Sequence, residues 1–324
     1  MINPLFIQEL INQEINSIDY NRKPERLYEP INYFMGLGGK RMRPVLSILS
    51  CYLFNNDFEK AVKPSLALEL FHNFTLIHDD IMDNAPLRRG MPTVHEKWNV
   101  NVAILSGDVT LIKAYEMLEY IAPDIRLEIF KLFNHTAKEV CEGQQFDMDF
   151  EQRSDVSIDE YIKMISLKTA VLLGLSMYMG ARIGGASTDE AQLMYDIAKN
   201  MGISFQIKDD YLDVFGEAEK VGKFVGGDIV SGKKTFLLIK AYELADANQK
   251  NELNRLLNDQ NIEKVSKVNA VLNIYNQLNI KDISYGATIS YFDKAIFSLN
   301  QLNVDHSKKQ FVIQYFKDLL GREK

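Results

Sequence analysis

The sequence predicts an all-α protein, a large single-domain bundle of helices, and three observations predict it. Apolar residues recur at intervals of three and four, as in Leu66-Ala67-Leu70-Phe71-Phe74, Leu111-Ala114-Tyr115-Leu118 and Ile158-Tyr161-Ile162-Ile165. Strand alternation is scarce, and there is no Asn-Gly hairpin signal. Proline is rare and stands at segment boundaries, at Pro24, Pro30, Pro44, Pro64, Pro86, Pro92 and Pro123.

Taken in order, the pattern places helices near 2–20, 25–36, 43–54, 61–83, 99–121 and 124–150, several of them opening beside a proline. Further helices are expected near 158–182, 189–215, 234–246, 261–277, 281–300 and 307–320. Several middle segments are apolar nearly all round, as buried helices of a large bundle are. The last 80 or so residues are more polar and richer in Asn, and read as peripheral helices. No Pro/Ser-rich linker divides the chain, so its 324 residues are expected to form one domain.

Bulk properties exclude several classes. The net charge is −7, from 37 basic and 44 acidic side chains, and lacks the basic excess of a general nucleic-acid binder. Two cysteines, Cys51 and Cys141, are too few for a disulfide framework and too far apart for a zinc motif, so buried, reduced thiols in a cytoplasmic protein are expected. The N-terminus lacks a basic region followed by an apolar core. The most apolar stretch, Thr169 to Ala181, is shorter than the roughly 20 residues of a membrane span, so no transmembrane segment is expected.

The chemistry concentrates in two acidic motifs. In Phe71-His72-Asn73-Phe74-Thr75-Leu76-Ile77-His78-Asp79-Asp80-Ile81-Met82-Asp83, three carboxylates end an apolar helix. Asp79 and Asp83 fall about 40° apart and about 6 Å apart along the axis. Like charges at that spacing repel, but they can share a hard cation such as Mg2+, whose shell carboxylates, phosphates and water complete. A solvated acidic helix end is the alternative. The pattern returns about 130 residues later as Asp209-Asp210-Tyr211-Leu212-Asp213, behind Gln206 and another apolar run. Two facing helices with such stripes could hold divalent cations and, through them, a diphosphate.

Basic, glycine-bearing stretches accompany these motifs. Gly36-Leu37-Gly38-Gly39-Lys40-Arg41-Met42-Arg43-Pro44 offers backbone N–H groups and cations at a helix start, a seat for phosphate or simply a charged connection. Pro86-Leu87-Arg88-Arg89-Gly90 follows the first motif, and its arginines could clamp phosphate oxygens or neutralise the nearby aspartates. Gly222-Lys223-Phe224-Val225-Gly226-Gly227-Asp228 through Lys233-Lys234 follows the second, as a mobile lid or a solvated loop. Lys168-Thr169 interrupts an apolar helix, where an unpaired lysine is rare. Gln144, Gln145, Asp147 and Asp149 form a further polar cluster, and His78, His95 and His135 show no metal-site spacing.

Together the two Asp-Asp-x-x-Asp motifs, Gly38-Gly39-Lys40-x-x-Arg43-Pro44, Leu87-Arg88-Arg89-Gly90 and Gly226-Gly227-Asp228-x-x-x-Gly232-Lys233 resemble the trans-type isoprenyl diphosphate synthases, the polyprenyl synthetase family. The match spans about residues 36 to 235 in the family's order. The resemblance implies an isoprenoid synthase fold around a deep central cavity, a homodimer, and three Mg2+ ions bound with substrate. It implies metal ligation by Asp79, Asp83 and Asp209, with Asp210 and Asp213 in support. It places isopentenyl diphosphate at Lys40, Arg43, His72 and Arg89. An allylic diphosphate (dimethylallyl, geranyl or farnesyl) would lie at Arg88, Lys168, Thr169, Gln206, Lys223 and Lys233, of which Arg88, Lys168, Thr169 and Gln206 would act in catalysis. Gln144 and Asp147 match a family Gly-Gln-x-x-Asp cluster.

In such an enzyme the cavity floor sets product length. Residues four and five before Asp79, Thr75 and Phe74, lie about 6–7.5 Å down the helix, and Phe71 could narrow the same floor. One aromatic at Phe74, with two residues between the motif's aspartates, looks like the geranylgeranyl type, with farnesyl next; ordinary core packing of Phe74 is the alternative. A class I terpene cyclase is disfavoured by the intact second motif, a non-catalytic subunit by the presence of both, and a di-iron bundle by the lack of Glu-x-x-His pairs.

Overall fold

The computed structural model describes residues 3–216, 225–259 and 261–321. Its helices begin with α1 (Pro4–Ser17), α2 (Glu25–Gly36), α3 (Met42–Phe54) and α4 (Val62–Met82). A two-stranded antiparallel hairpin of β1 (Leu87–Arg88) and β2 (Met91–Pro92) follows. Next come α5 (Val94–Lys97), α6 (Val100–Met117), α7 (Pro123–Glu151), α8 (Ile158–Ile165), α9 (Val171–Gly184) and α10 (Thr188–Phe215). The remainder is α11 (Gly227–Ser231), α12 (Phe236–Leu244), α13 (Ala247–Asn258), α14 (Lys264–Gln277), α15 (Ile280–Gln301) and α16 (His306–Gly321).

The all-α expectation is borne out, with local departures: Pro30 lies inside α2 rather than at a boundary, the short α5 and α11 fall outside the expected ranges, and Cys141 is exposed while Cys51 is buried. The segment expected as one helix over 158–182 is α8 and α9 joined by a π turn, Ser166–Ala170. Helix α13 was not anticipated, because only Leu253 and Leu256 of its twelve residues are buried. Its start is nonetheless encoded: Asp246 and Gln249 form a capping box, each side chain taking the other's backbone N–H. The hairpin escaped notice because its turn is Arg89-Gly90, at φ 54° and 77°, the left-handed pair that tight hairpins need.

The residues group into two compact units, Met1–Phe133 with Leu175–Met194, and Asn134–Gly174 with Tyr195–Lys324. In the first, α4 packs chiefly against α6 and α3. Asn3 and Asn99 cap α1 and α6 by accepting from Phe6 and Val102 N–H. The Ser50 hydroxyl donates to the Met177 carbonyl at 2.6 Å. Arg182 donates to both oxygens of Glu128, at 2.8 and 3.0 Å, and the Tyr178 hydroxyl adds a third bond at 2.6 Å.

In the second unit Tyr161, Met164 and Ile165 of α8 share a core with Ile207 of α10, Phe236 of α12 and Tyr275 of α14. The C-terminal helices are therefore not peripheral. Tyr275, Leu299 and Phe316 are 1 % exposed or less, and the Ser204 hydroxyl donates to the Thr288 carbonyl at 2.8 Å. The helical run Ile158–Gly184 has 27 residues, more than the stretch weighed from sequence, and is long and apolar enough to cross a membrane; 83 % of its most apolar window is buried within the protein.

Candidate active site

In the first unit the site grows from the C-terminal end of α4. Asp79 is half-buried, Asp80 is buried and Asp83 is exposed at the helix cap, where its N–H donates to the Asp79 carbonyl at 2.8 Å. The hairpin folds Arg88 back onto this helix. Its Nε and Nη2 both donate to Asp80 Oδ1, at 2.9 and 2.5 Å. Arg88 is thus held by a carboxylate that is 1 % exposed. The other Asp80 oxygen is buried with no hydrogen-bond partner among the described residues.

The same turn carries Arg89 onto the glycine-rich loop. A Cβ at Gly39 would lie 2.8 Å from Arg89 Nη2, so only glycine leaves the guanidinium that seat. Arg41 occupies the left-handed region at φ 47° and begins α3. Arg43 is pushed down to about 10 by burial, against the pull of Glu69, and its Nε is buried without a partner among the described residues. Burial, followed by the guanidinium charges of Arg43, Arg89, Arg88 and Arg41, holds His72 well below its ordinary value, so the ring is neutral. Lys40 is exposed beside them. Arg43 and Arg89 thus lie close enough to His72 to act on its charge, and Arg41, Glu69 and Asp80, which the sequence reading did not assign to a site, belong to the same cluster.

The residues expected at the floor lie on α4 as well. Phe74 is half-buried, with its ring centroid 5.7 Å from Phe71. Phe71 meets Phe133 at 5.4 Å, and Phe133 meets Tyr115 at 5.2 Å. The Thr75 hydroxyl donates back to the His72 carbonyl at 2.8 Å and so adds little bulk.

In the second unit Lys168, Thr169, Gln206, Asp210 and Lys233 line one cavity of about 80 Å3, with Tyr161. Lys168 and Thr169 lie in the π turn, a local widening that helices often keep at functional sites. Lys168 Nζ donates to Asp147 Oδ2 at 2.6 Å, and the Thr169 hydroxyl to Gln206 Oε1 at 3.4 Å. The π turn packs so tightly on α7 that a Cβ at Gly143 would collide with the Lys168 backbone nitrogen.

The second motif divides its labour. Asp209 is exposed. Asp210 is buried, and its Oδ2 accepts from the Tyr161 hydroxyl at 2.5 Å and the Phe236 N–H at 3.1 Å. Burial is the main cause that pushes it up to about 7, with Asp228 adding to it and Tyr161 and Lys233 opposing. Asp213 Oδ2 accepts the Asp228 N–H at 2.9 Å, and its carbonyl accepts the Gly226 N–H at 2.6 Å. Asp210 and Asp213 therefore brace the lysine-bearing segment behind Asp209. Tyr161 was missed because an aromatic at helical spacing reads as core. Lys223 lies outside the described residues.

Among the described residues no three His, Cys, Asp or Glu side chains converge as a preformed metal centre. Asp79 and Asp83 offer hard oxygen donors one turn apart, a set that suits Mg2+ when phosphate oxygens complete its shell.

The polyprenyl synthetase family model matches residues 24–275. The chain is 36 % identical over 308 residues to a geranylgeranyl diphosphate synthase of Sulfolobus acidocaldarius, covering 92 % of this chain and 93 % of that one. It is 42 % identical over 223 residues to a geranylgeranyl diphosphate synthase of Methanosarcina mazei, covering 68 % and 69 %. A crystal structure of a geranylgeranyl pyrophosphate synthase superposes with a TM-score of 0.94 at 40 % identity over 100 % of both chains. With both aspartate motifs, the two arginine-bearing turns and the lysine cavity in that family's order, the chain belongs to the polyprenyl synthetase family.

Proposed function

We propose that this prenyltransferase condenses isopentenyl diphosphate head-to-tail with an allylic diphosphate and releases a twenty-carbon product, with fifteen carbons the next choice. The observation that carries the reading is the pair of chemically distinct anion seats. One is the arginine crowd of Arg43 and Arg89 beside neutral His72; the other is the Lys168, Thr169, Gln206 and Lys233 cavity. A condensing enzyme handles two diphosphates, whereas a cyclase handles one.

In this reading Lys168, Lys233 and Arg88 take the allylic diphosphate, together with Lys223. They neutralise charge as the C–O bond ionises, where preorganised cations act most strongly. Thr169 and Gln206 aim oxygen dipoles at the allylic cation. Lys40, Arg43 and Arg89 hold isopentenyl diphosphate while its alkene adds to that cation. Proton loss then restores an allylic diphosphate, the departed diphosphate being the favoured acceptor. Asp79, Asp83 and Asp209, supported by Asp210 and Asp213, would hold Mg2+, which when bound supplies Lewis-acid neutralisation of the leaving group.

Phe74 and Phe71, with the small Thr75, support a short product. The exposed apolar side chains Leu105, Ile112, Leu127 and Phe130 of α6 and α7 support a homodimer, because they leave a wide apolar surface uncovered. One catalytic domain, a cytoplasmic location and no nucleic-acid partner complete the proposal. The test is incubation of purified protein with Mg2+, isopentenyl diphosphate and each of dimethylallyl, geranyl and farnesyl diphosphate. Products sized by chromatography should stop at twenty carbons. No elongation from any primer would overturn the reading.

A further inference from the structure

Four arginines, Arg41, Arg43, Arg88 and Arg89, crowd one side of α4 around His72, and repulsion from Arg41 and Arg88 depresses Arg89 after burial itself. Two of them are paired with buried carboxylates. Arg88 is taken by Asp80, and Arg41 is taken by Glu69, with Nη1 donating to Oε1 at 2.7 Å between side chains that are each 3 % exposed. Glu69 and Asp80 are eleven residues apart on α4, so they fall about 20° apart, three turns along one stripe. Each buried carboxylate therefore holds an arginine whose sequence neighbour, Arg89 or Lys40, belongs to the substrate-facing set.

The Arg41 fork does more than neutralise Glu69. Nη2 donates to the Met35 carbonyl at 2.9 Å, at the end of α2, and Nε donates to Asn12 Oδ1 at 3.3 Å. Glu69 Oε1 also accepts from Asn73 Nδ2 at 3.3 Å. One guanidinium thus ties α1, the end of α2 and α4 to the residue that opens α3. That residue holds the left-handed conformation, at φ 47°, between Lys40 and Arg43. A non-glycine residue there is strained and keeps its shape only when its surroundings impose it.

We propose that Arg41 and Glu69 are a positioning pair for isopentenyl diphosphate. They touch no substrate, and set the turn that aims Lys40 and Arg43 at it. The inference rests on the assignment of Lys40, Arg43 and Arg89 to that diphosphate. Glu69 has a second effect, because its charge also opposes the depression of Arg43 and Arg89.

The test compares Arg41→Met, Glu69→Leu and the double variant with wild type, measuring thermal stability and KM for both substrates. Each single change leaves a buried charge unpaired and lowers stability; the double replaces the pair by apolar side chains, which is often neutral. The expected result is that the double variant melts near wild type yet has KM for isopentenyl diphosphate raised ten-fold or more, with KM for the allylic substrate moved less than two-fold. Arg41→Lys should not restore KM, since an ammonium cannot span three acceptors in a plane. A double variant with wild-type melting and wild-type KM would overturn the proposal. Should the double variant not fold, Asn12→Ala, at an exposed position, removes one contact of the fork. It should raise KM for isopentenyl diphosphate alone by two- to three-fold, and an unchanged KM overturns the proposal. Arg43→Ala separates the premises: if it leaves KM for isopentenyl diphosphate unchanged, the substrate assignment itself is wrong.

Discussion

Asp80 accepts two hydrogen bonds from Arg88 on a single oxygen, at 2.9 and 2.5 Å, while its other oxygen is buried and unpartnered among the described residues. Removing the guanidinium would strand a carboxylate that is 1 % exposed. Arg88→Ala is expected to cost about 3 kcal/mol in urea unfolding, beyond its effect on turnover. Asp80→Asn with Arg88→Gln should recover most of that stability and little of the activity. Equal losses in the single and double variants would contradict this account.

Gly143 and Lys168 approach too closely for any larger residue on α7, since the clash would be with backbone rather than a flexible side-chain tip. Gly143→Ala should displace the π turn, lower the melting temperature by several degrees and cut kcat roughly 100-fold, as angstrom-scale misplacement does. Wild-type kcat in that variant would show that the turn tolerates displacement.

Phe74 is the first ring of a series that continues through Phe71, Phe133 and Tyr115. Phe74→Ala is expected to shift the products beyond twenty carbons by one or two five-carbon units and no further, because Phe71 remains. Chromatography of the product mixture decides it, and an unchanged distribution would remove Phe74 from the floor.

Glu128 links pH to stability. Burial alone raises its carboxyl, but hydrogen bonds from Arg182 and Tyr178 outweigh burial and bring it below 4.5. The folded state therefore binds protons less readily than the unfolded one. The stability this site contributes is complete above about 4.5 and is lost as pH falls through the lower folded value. Glu128→Gln should cost about 1 kcal/mol at pH 7 for this partly exposed network. The gap to wild type should close in melts taken near pH 3.

Metal removal gives a fifth test. Asp79 and Asp83 meet no third His, Cys, Asp or Glu side chain in a preformed metal centre among the described residues, so the cation and the diphosphate should bind together. Chelation is expected to abolish turnover and to weaken binding of an unreactive allylic thiodiphosphate at least ten-fold by calorimetry. Mg2+ added to the free protein should give little heat. Tight binding of Mg2+ alone would argue for a site completed by protein.

Legibility from sequence followed the distance between the interacting residues. Asp79, Asp83 and Asp209 stand out as candidates because carboxylates on an apolar helix break a local pattern. The helices were readable because their period is local too. Arg41 and Glu69 were not, since a pair 28 residues apart leaves no mark in either neighbourhood. Asp210 reads from sequence only as support for Asp209, and spacing cannot reveal that Tyr161, 49 residues away, donates to it. The start of α13 could have been read from Asp246 and Gln249, but its polar composition outweighed that cue.

The π turn at Ser166–Ala170 leaves α8 and α9 out of phase by about one residue. Deleting a single residue there would let the two helices merge into one uninterrupted rod. The shortened chain should fold more readily in that region, and Lys168 and Thr169 would no longer both reach the cavity. The turn thus gives up one residue of helical regularity for the simultaneous placement of two polar side chains.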